Sequence, residues 1–288
     1  MNLAHVSREL RKRPKPFRWL LSRVLLRTKL CRFLLMQRHG YVLRFHPSEL
    51  SADVWYNPKC RNEDVQFIKS YLKPGDVFVD VGANIGLWVL TAATAVGTSG
   101  KVTAFEPHPR IFKFLEANVH LNKLQNVRLH NCAVGDEAGS VSFSDEKADD
   151  TNRVVPGNEG MSVPVVTLDE VLEPRSRLAL LKVDAEGYEK HILRGAEEMI
   201  ERVQCLFIEV SDSNLMMFGS KSSDILAWLT GRGFRLYQVI AQSTLEEITM
   251  ETRAEETSIE NVVALRSEND FAKRTGWTIK RSLLSAAD

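Results

Sequence analysis

The stretch Asp76-Val-Phe-Val-Asp-Val-Gly-Ala-Asn-Ile-Gly86 decides the fold. Val77 to Val81 is a β-branched and aromatic run that reads as a strand buried on both faces, interrupted by Asp80 alone. Gly82, Asn84 and Gly86 then lead straight into Leu87-Trp-Val-Leu-Thr-Ala-Ala-Thr-Ala-Val96, and the pattern predicts a helix over 86–96. Glycines at such a strand-to-helix turn let the backbone pass close under a nucleotide-like ligand, and the helix start offers unpaired N–H groups.

A second strand, predicted over 101–106, ends in Glu106, 24 residues beyond Gly82. An acid at that tip is placed to accept both hydroxyls of an adenosine ribose. Dinucleotide binders share this plan, so the spacing alone leaves the cofactor open; the loop chemistry chooses. It reads DxGxNxG instead of GxGxxG, and Asp80 stands where a pyrophosphate would meet unwanted negative charge. A carboxylate there suits a cationic ligand portion, such as the ammonium of a methionine moiety. That favours S-adenosylmethionine over NAD.

Outward from this core the chain alternates strand and helix with short connections. Strands are predicted over 77–81, 101–106, 127–131, 178–184, 205–209, 234–240 and 261–266, and helices over 62–72, 86–96, 109–122, 189–202 and 222–232. Such alternation calls for a mostly parallel sheet with helices on both faces. Two polar stretches, 139–164 and 243–260, read as loops on the substrate side or as mobile insertions. The division expected is an arm over 1–40, a strand and helix lead-in over 41–75, an α/β domain over 76–267 and a tail over 268–288.

A second chemical signal is Leu180-Leu-Lys-Val-Asp-Ala-Glu-Gly-Tyr-Glu189 at the end of the fourth strand. Asp184 and Glu186 crowd one strand end, where open α/β sheets bind ligands, and like charges there cost stability. Their expected work is to take the proton of an acceptor hydroxyl or to orient it, with mutual repulsion raising the proton affinity of one. Glu209 ends the fifth strand at the same rim. A capping role at the next helix start is the bland alternative for Glu186 and Glu189.

The runs VDVGANIG, AFEPHP, NCAVGD, VPVVTLDEVL, LLKVDAEGYE with LRGAEEMI, and FIEV resemble, in order and spacing, the FkbM family of S-adenosylmethionine-dependent methyltransferases. LLKVDAEGYE is the most discriminating of them. The resemblance covers about 76–240 and implies the class I methyltransferase fold, a Rossmann-like, mostly parallel sheet of seven strands with the last antiparallel. It implies an O-methyltransferase acting on sugar, glycan or secondary-metabolite hydroxyls. Carried over by position, Asp80, Gly82, Asn84 and Gly86 form the cofactor loop, Glu106 holds the ribose, and Asn131, Cys132 and Ala133 border the adenine. Asp184 and Glu186 face the transferring methyl, supported by Lys182 and Glu209. His108 is ambiguous between the cofactor edge and a turn or capping role. Some O-methyltransferases hold Mg²⁺ with acids at this rim, which Asp184 and Glu209 would do here; the reading adopted has no metal.

Composition narrows the classes further. The 288 residues are 44% apolar and 26% charged, which excludes wholesale disorder and a collagen-like fibre. Four cysteines, Cys31, Cys60, Cys132 and Cys205, show no zinc-like spacing and read as reduced thiols, which points away from a secreted disulfide scaffold. No segment reads as a membrane span, and the start lacks the apolar core of a secretory signal, so the expected location is the cytoplasm.

Charge is unevenly placed: residues 1–40 hold eleven basic residues and one acid, Glu9, whereas the rest of the chain holds 27 basic and 36 acidic residues. A basic amphipathic helix is predicted within 17–38. It can lie on an anionic inner-membrane surface, bind an acidic partner or pack on the body. A methyltransferase acting on nucleic acid, with that arm on phosphate, or on protein is the competing function. Against the former stand the acidic body and the lack of an Asn-Pro-Pro-Tyr-like motif, since Lys59 follows Asn57-Pro58. An NAD-dependent oxidoreductase is opposed by the loop, and a non-catalytic binding module by the intact acids.

Overall fold

The computed structural model describes residues 15–146, 151–157, 159–173, 177–248 and 261–281. Its strands, in chain order, are β1 (Leu35–Arg38), β2 (Tyr41–Arg44), β3 (Val77–Val81), β4 (Lys101–Phe105), β5 (Val127–His130), β6 (Ala133–Val134) and β7 (Gly139–Phe143). Then follow β8 (Met161–Val166), β9 (Leu178–Val183), β10 (Val203–Glu209), β11 (Arg235–Ala241), β12 (Thr244–Glu247), β13 (Asn261–Leu265) and β14 (Thr278–Lys280). The main sheet runs β14-β12-β11-β13-β10-β9-β3-β4-β5. Strands β5, β4, β3, β9 and β10 are parallel, and β13 enters antiparallel between β10 and β11. This is the mostly parallel seven-stranded sheet with its last strand antiparallel that the resemblance implied, widened by β12 and β14 at one edge.

Side-chain alternation explains why the sheet is covered on both sides. Phe78, Ala104, Leu180, Cys205 and Phe207 enter one core, while their neighbours Val79, Phe105, Leu181, Leu206 and Ile208 enter the other. The first core is roofed by helices Asn62–Tyr71, Leu87–Val96 and Pro109–Leu121, and the second by helices Glu189–Arg194 and Ser222–Gly231. All six residues of β9 are buried, so truncating one of its leucines to Ala would cost about 2–5 kcal/mol.

Three stretches differ from expectation. The 139–164 region begins and ends in strand: β7 and β8 pair antiparallel, and β6 joins β8 to make a small second sheet. Val141, Phe143, Val163 and Val165 supply its alternation, which Ser, Gly and Pro164 obscure in the sequence. Within 243–260, Thr244–Glu247 is β12 and residues 249–260 lie outside those described. The supposed tail contributes to the body: helix Glu268–Thr275 places the Phe271 ring 5.6 Å from that of Tyr71, Arg274 pairs with Asp76 at 2.6 Å, and β14 joins the sheet. One buried aromatic in an otherwise polar helix left little periodicity to read.

The lead-in is bonded to the domain as well. Asn122 Oδ1 accepts from the Val42 N–H at 2.7 Å and Asn118 Oδ1 from the Arg44 N–H at 3.0 Å, so helix Pro109–Leu121 and its C-cap Asn122 satisfy the edge of β2. The N-terminal helix spans Pro16–Thr28, shorter than the stretch expected, because Lys29 turns left-handed at φ 58°. Arg18 donates to the Trp55 carbonyl at 2.7 Å and Arg23 pairs with Glu49 at 2.6 Å, which docks this helix on helix Glu49–Tyr56. All four cysteines are free thiols.

Candidate active site

A cavity opens over the carboxyl ends of β3, β4, β9 and β10, where the strand order reverses. Of the residues proposed from sequence, Gly82, Asn84, Glu106, Cys132, Ala133, Lys182, Asp184, Glu186 and Glu209 line it. Asp80, Gly86 and Asn131 do not enter the wall. Asp80 is fully buried behind it. Gly86 (φ 93°) starts the helix, where a Cβ would meet Leu115 Cδ1 at 2.6 Å. Asn131 donates to the carbonyls of Glu106 at 2.8 Å and Pro107 at 3.1 Å, so its amide shapes the β4 tip.

Gly82 is required by a close approach. Its φ is +82°, and a Cβ would lie 1.9 Å from the Asp184 carbonyl oxygen. The ends of β3 and β9 therefore approach through backbone. Glu106 is held by the loop it serves: its Oε2 accepts from the Asn84 N–H at 2.8 Å and its Oε1 from the His108 N–H at 2.9 Å. Each oxygen keeps a second lone pair for a vicinal diol. Burial pushes this carboxyl up to about 7 even against those two bonds. His108 is a cap: its Nδ1 accepts from the Arg110 N–H at 3.2 Å and its Nε2 lies 3.1 Å from Asp145. The wall beyond Glu106 is apolar, made by Phe105, Cys132, Val134, Phe143 and Val154.

The opposite end is charged. Lys182 Nζ lies 3.3 Å from Asp80 Oδ1 and 3.2 Å from Asp184 Oδ2, and it donates to the Gly82 carbonyl at 3.0 Å. Burial alone would pull this ammonium down; Asp184 and Asp80 override it and hold it above its usual value. Asp184 would likewise rise on burial, but Lys182 holds it below the usual carboxylate range. Asp80 is raised by burial, and neither of its oxygens accepts a well-formed hydrogen bond.

Carboxylate oxygens of Asp184, Glu186 and Glu209 lie within 4.8 Å of one another, the group among the described residues that would hold a divalent cation. Burial pushes Glu209 up to about 9, reinforced by its hydrogen bond to Asp184 and by the Asp184 charge. The raised proton affinity expected of Asp184 or Glu186 thus falls on Glu209, because Lys182 already compensates Asp184. Glu186 is fixed by Asn214, which donates to its Oε2 at 2.8 Å. Glu189 is scaffold: its Oε1 accepts from the N–H groups of Ala185 at 3.0 Å and Gly187 at 3.2 Å.

Sequence reading missed several wall residues. Arg61 lines the cavity from the lead-in, in a left-handed conformation (φ 57°), and feels the charges of Asp184 and Glu209. Its position ahead of every recognised motif hid it. Trp88 stands two residues past Gly86, and Asn152 and Val154 arrive from the polar stretch between β7 and β8. Periodicity reports burial and does not separate core from cavity wall, so Trp88 read simply as core.

This residue set fits S-adenosylmethionine: a diol acceptor at Glu106, an apolar slot beside it, and carboxylates in surplus at the other end, with the Asp80–Lys182 pair behind. Fold and site define a class I S-adenosylmethionine-dependent methyltransferase. A family model described as the methyltransferase FkbM domain matches residues 80–236, more than half of the chain. The chain belongs to the FkbM methyltransferase family. It is similar to the 31-O-demethyl-FK506 methyltransferase FkbM of Streptomyces tacrolimicus, 30% identical over 199 residues that span 57% of this chain and 74% of the relative. The hexuronic acid methyltransferase AglP of Haloferax volcanii is 29% identical over 178 residues, 59% of this chain and 71% of that one. Among solved structures, an S-adenosylmethionine-dependent O-methyltransferase from Thermotoga maritima aligns with a TM-score of 0.42 at 14% identity, over 81% of this chain and 77% of that chain.

Proposed function

We propose that the protein transfers the S-adenosylmethionine methyl group to a hydroxyl of a sugar, glycan or other small molecule. The observation that carries this reading is the cluster of Asp184, Glu186 and Glu209 at the end of the cavity away from the apolar slot. Bound there, S-adenosylmethionine supplies an electrophilic methyl on a sulfonium, open to in-line attack. Asp184, ionised at neutral pH because Lys182 compensates it, accepts the hydrogen of the acceptor hydroxyl and takes the proton as the oxygen loses electron density. A carboxylate of low proton affinity suffices, since the hydroxyl becomes strongly acidic once its oxygen bonds to carbon. Glu209 retains its own proton and donates it toward Asp184, which fixes that carboxylate in place. Glu186, oriented by Asn214, holds a neighbouring hydroxyl of the acceptor. Positioning supplies much of the rate in such a displacement.

The relative named for the 31-O position of FK506 supports an oxygen acceptor, and the one named for hexuronic acid supports a sugar-derived acceptor. The test is incubation with methyl-labelled S-adenosylmethionine and a panel of sugars, uronic acids and polyols. Base-stable label in a methyl ether is expected. Base-labile label would mean a carboxyl acceptor, and label confined to nucleic acid or protein would overturn the reading.

A further inference from the structure

Seven of the ten large apolar side chains that stand exposed among the described residues fall between positions 17 and 35. Phe17 is 87% exposed and Phe33 67% exposed, unusual for a side chain that contributes mainly through burial. On helix Pro16–Thr28, Phe17, Leu20, Leu21 and Val24 recur at helical spacing along one face. The other face is spent on the body, through Leu25 and Leu26 and through Arg18 and Arg23 with their bonds to Trp55 and Glu49. This helix therefore carries two apolar stripes, and the outer one covers nothing within the described residues.

The charge around the outer stripe has a single sign. Lys15, Arg27, Lys29 and Arg32 are exposed beside it, and the sequence contains no acid from position 10 to position 48. That sign selects the occupant. The chain's own first residues carry Arg8, Arg11, Lys12 and Arg13 against Glu9 alone, so they would repel the face. A second copy packed through the same face would set like charge against like. An anionic bilayer offers what both lack, an apolar layer for Phe17, Leu21 and Phe33 and negative headgroups for the lysines and arginines.

We propose that this face is a docking surface for an anionic lipid bilayer, with helix Pro16–Thr28 lying in the plane of the interface. The test is co-sedimentation of the full chain with vesicles of phosphatidylcholine alone and of phosphatidylcholine mixed with phosphatidylglycerol. Binding is expected to the anionic vesicles only, with release as salt is raised. The variant Phe17→Ser/Leu21→Ser/Phe33→Ser, altered at exposed positions, should partition at least about tenfold less while its affinity for S-adenosylhomocysteine is unchanged. That second readout establishes folding and is independent of the acceptor. Failure of the parent chain to sediment at low salt, equal binding to neutral vesicles, or a variant that binds like the parent would each overturn the proposal. So would a parent dimer that the variant converts to monomer, since the face would then belong to a second copy.

Discussion

Replacing Lys182 with Met should destabilise the protein by about 3 kcal/mol at neutral pH, the lower end of the cost of removing one partner from a buried ion pair. Methionine fills the space of the lysine stem, so the packing beside Trp88, whose ring centroid lies 5.9 Å from Nζ, is kept. What is lost is charge. Asp80 has 0% of its side chain exposed, so its carboxylate is left uncompensated in the interior. Asp184 is 31% exposed and water takes over part of its compensation, which is why the lower end of the range applies.

The pH dependence carries the sign. Without Lys182, Asp184 joins Asp80, which burial already raises, in a folded-state proton affinity above the unfolded value of about 3.9, and Asp80 rises further. A group raised in this way contributes its stability at low pH and loses it as pH rises through the raised value. The deficit of the variant should therefore shrink on acidification toward about pH 5 and be fully developed near pH 7. Urea unfolding at the two pH values, with unchanged slope, measures it. Lys182→Met/Asp80→Asn should recover most of the loss, since the two sites are directly coupled. A deficit under about 1 kcal/mol at neutral pH, or one that ignores pH, would refute the placement of Asp80 and Lys182 as a buried pair.

Four further outcomes are expected. Glu106→Ala should weaken S-adenosylhomocysteine binding by roughly 1.5–3 kcal/mol, the scale of hydrogen bonds to a charged acceptor, and calorimetric titration showing equal affinity would remove Glu106 from the site. Asp184→Asn should lower turnover by about 10²-fold or more with cofactor affinity little changed; parent-level turnover would move the base to Glu209. Glu209 is raised to about 9 in the fold, against an unfolded value of about 4.3, so its contribution falls as pH climbs between those values. Glu209→Gln should therefore gain stability relative to the parent as pH rises through that window, and parallel stability curves would contradict the assignment. Exhaustive treatment with a chelator should leave turnover intact, because Lys182 and the proton on Glu209 already offset the three acids; activity restored by Mg²⁺ would show otherwise.

Where residues had one job, the sequence declared it. Val77–Val81 and Leu178–Val183 are buried on both faces, and their apolar runs marked the strands to the residue or nearly so. Gly82 and Glu106 were legible because one permits a close approach and the other ends a strand in an acid. Residues with two jobs were not. Lys182 looked like a supporting catalytic group, yet its geometry is that of a counter-ion between two strands. Asp80 looked like a direct ligand, yet it lies behind the wall. Met161–Val166 carries Pro164 within a strand, and the composition of its surroundings outweighed the alternation of Val163 and Val165. Arg61 reaches the cavity through tertiary packing alone, for which no local pattern exists.

One backbone detail sets stability against activity. Glu186 sits at φ 52°, and Gly187 follows at 108° with no room for a Cβ beside the Asn214 carbonyl. A left-handed glutamate costs about 1 kcal/mol relative to glycine, so this turn keeps its carboxylate at the expense of the conformation its backbone prefers. A population of variants sorted only for heat resistance would drift to Gly or Asn at position 186, improving as a scaffold while losing the carboxylate proposed to hold the acceptor. Mutational tolerance at that single position thus reads out which of the two pressures acts on the chain.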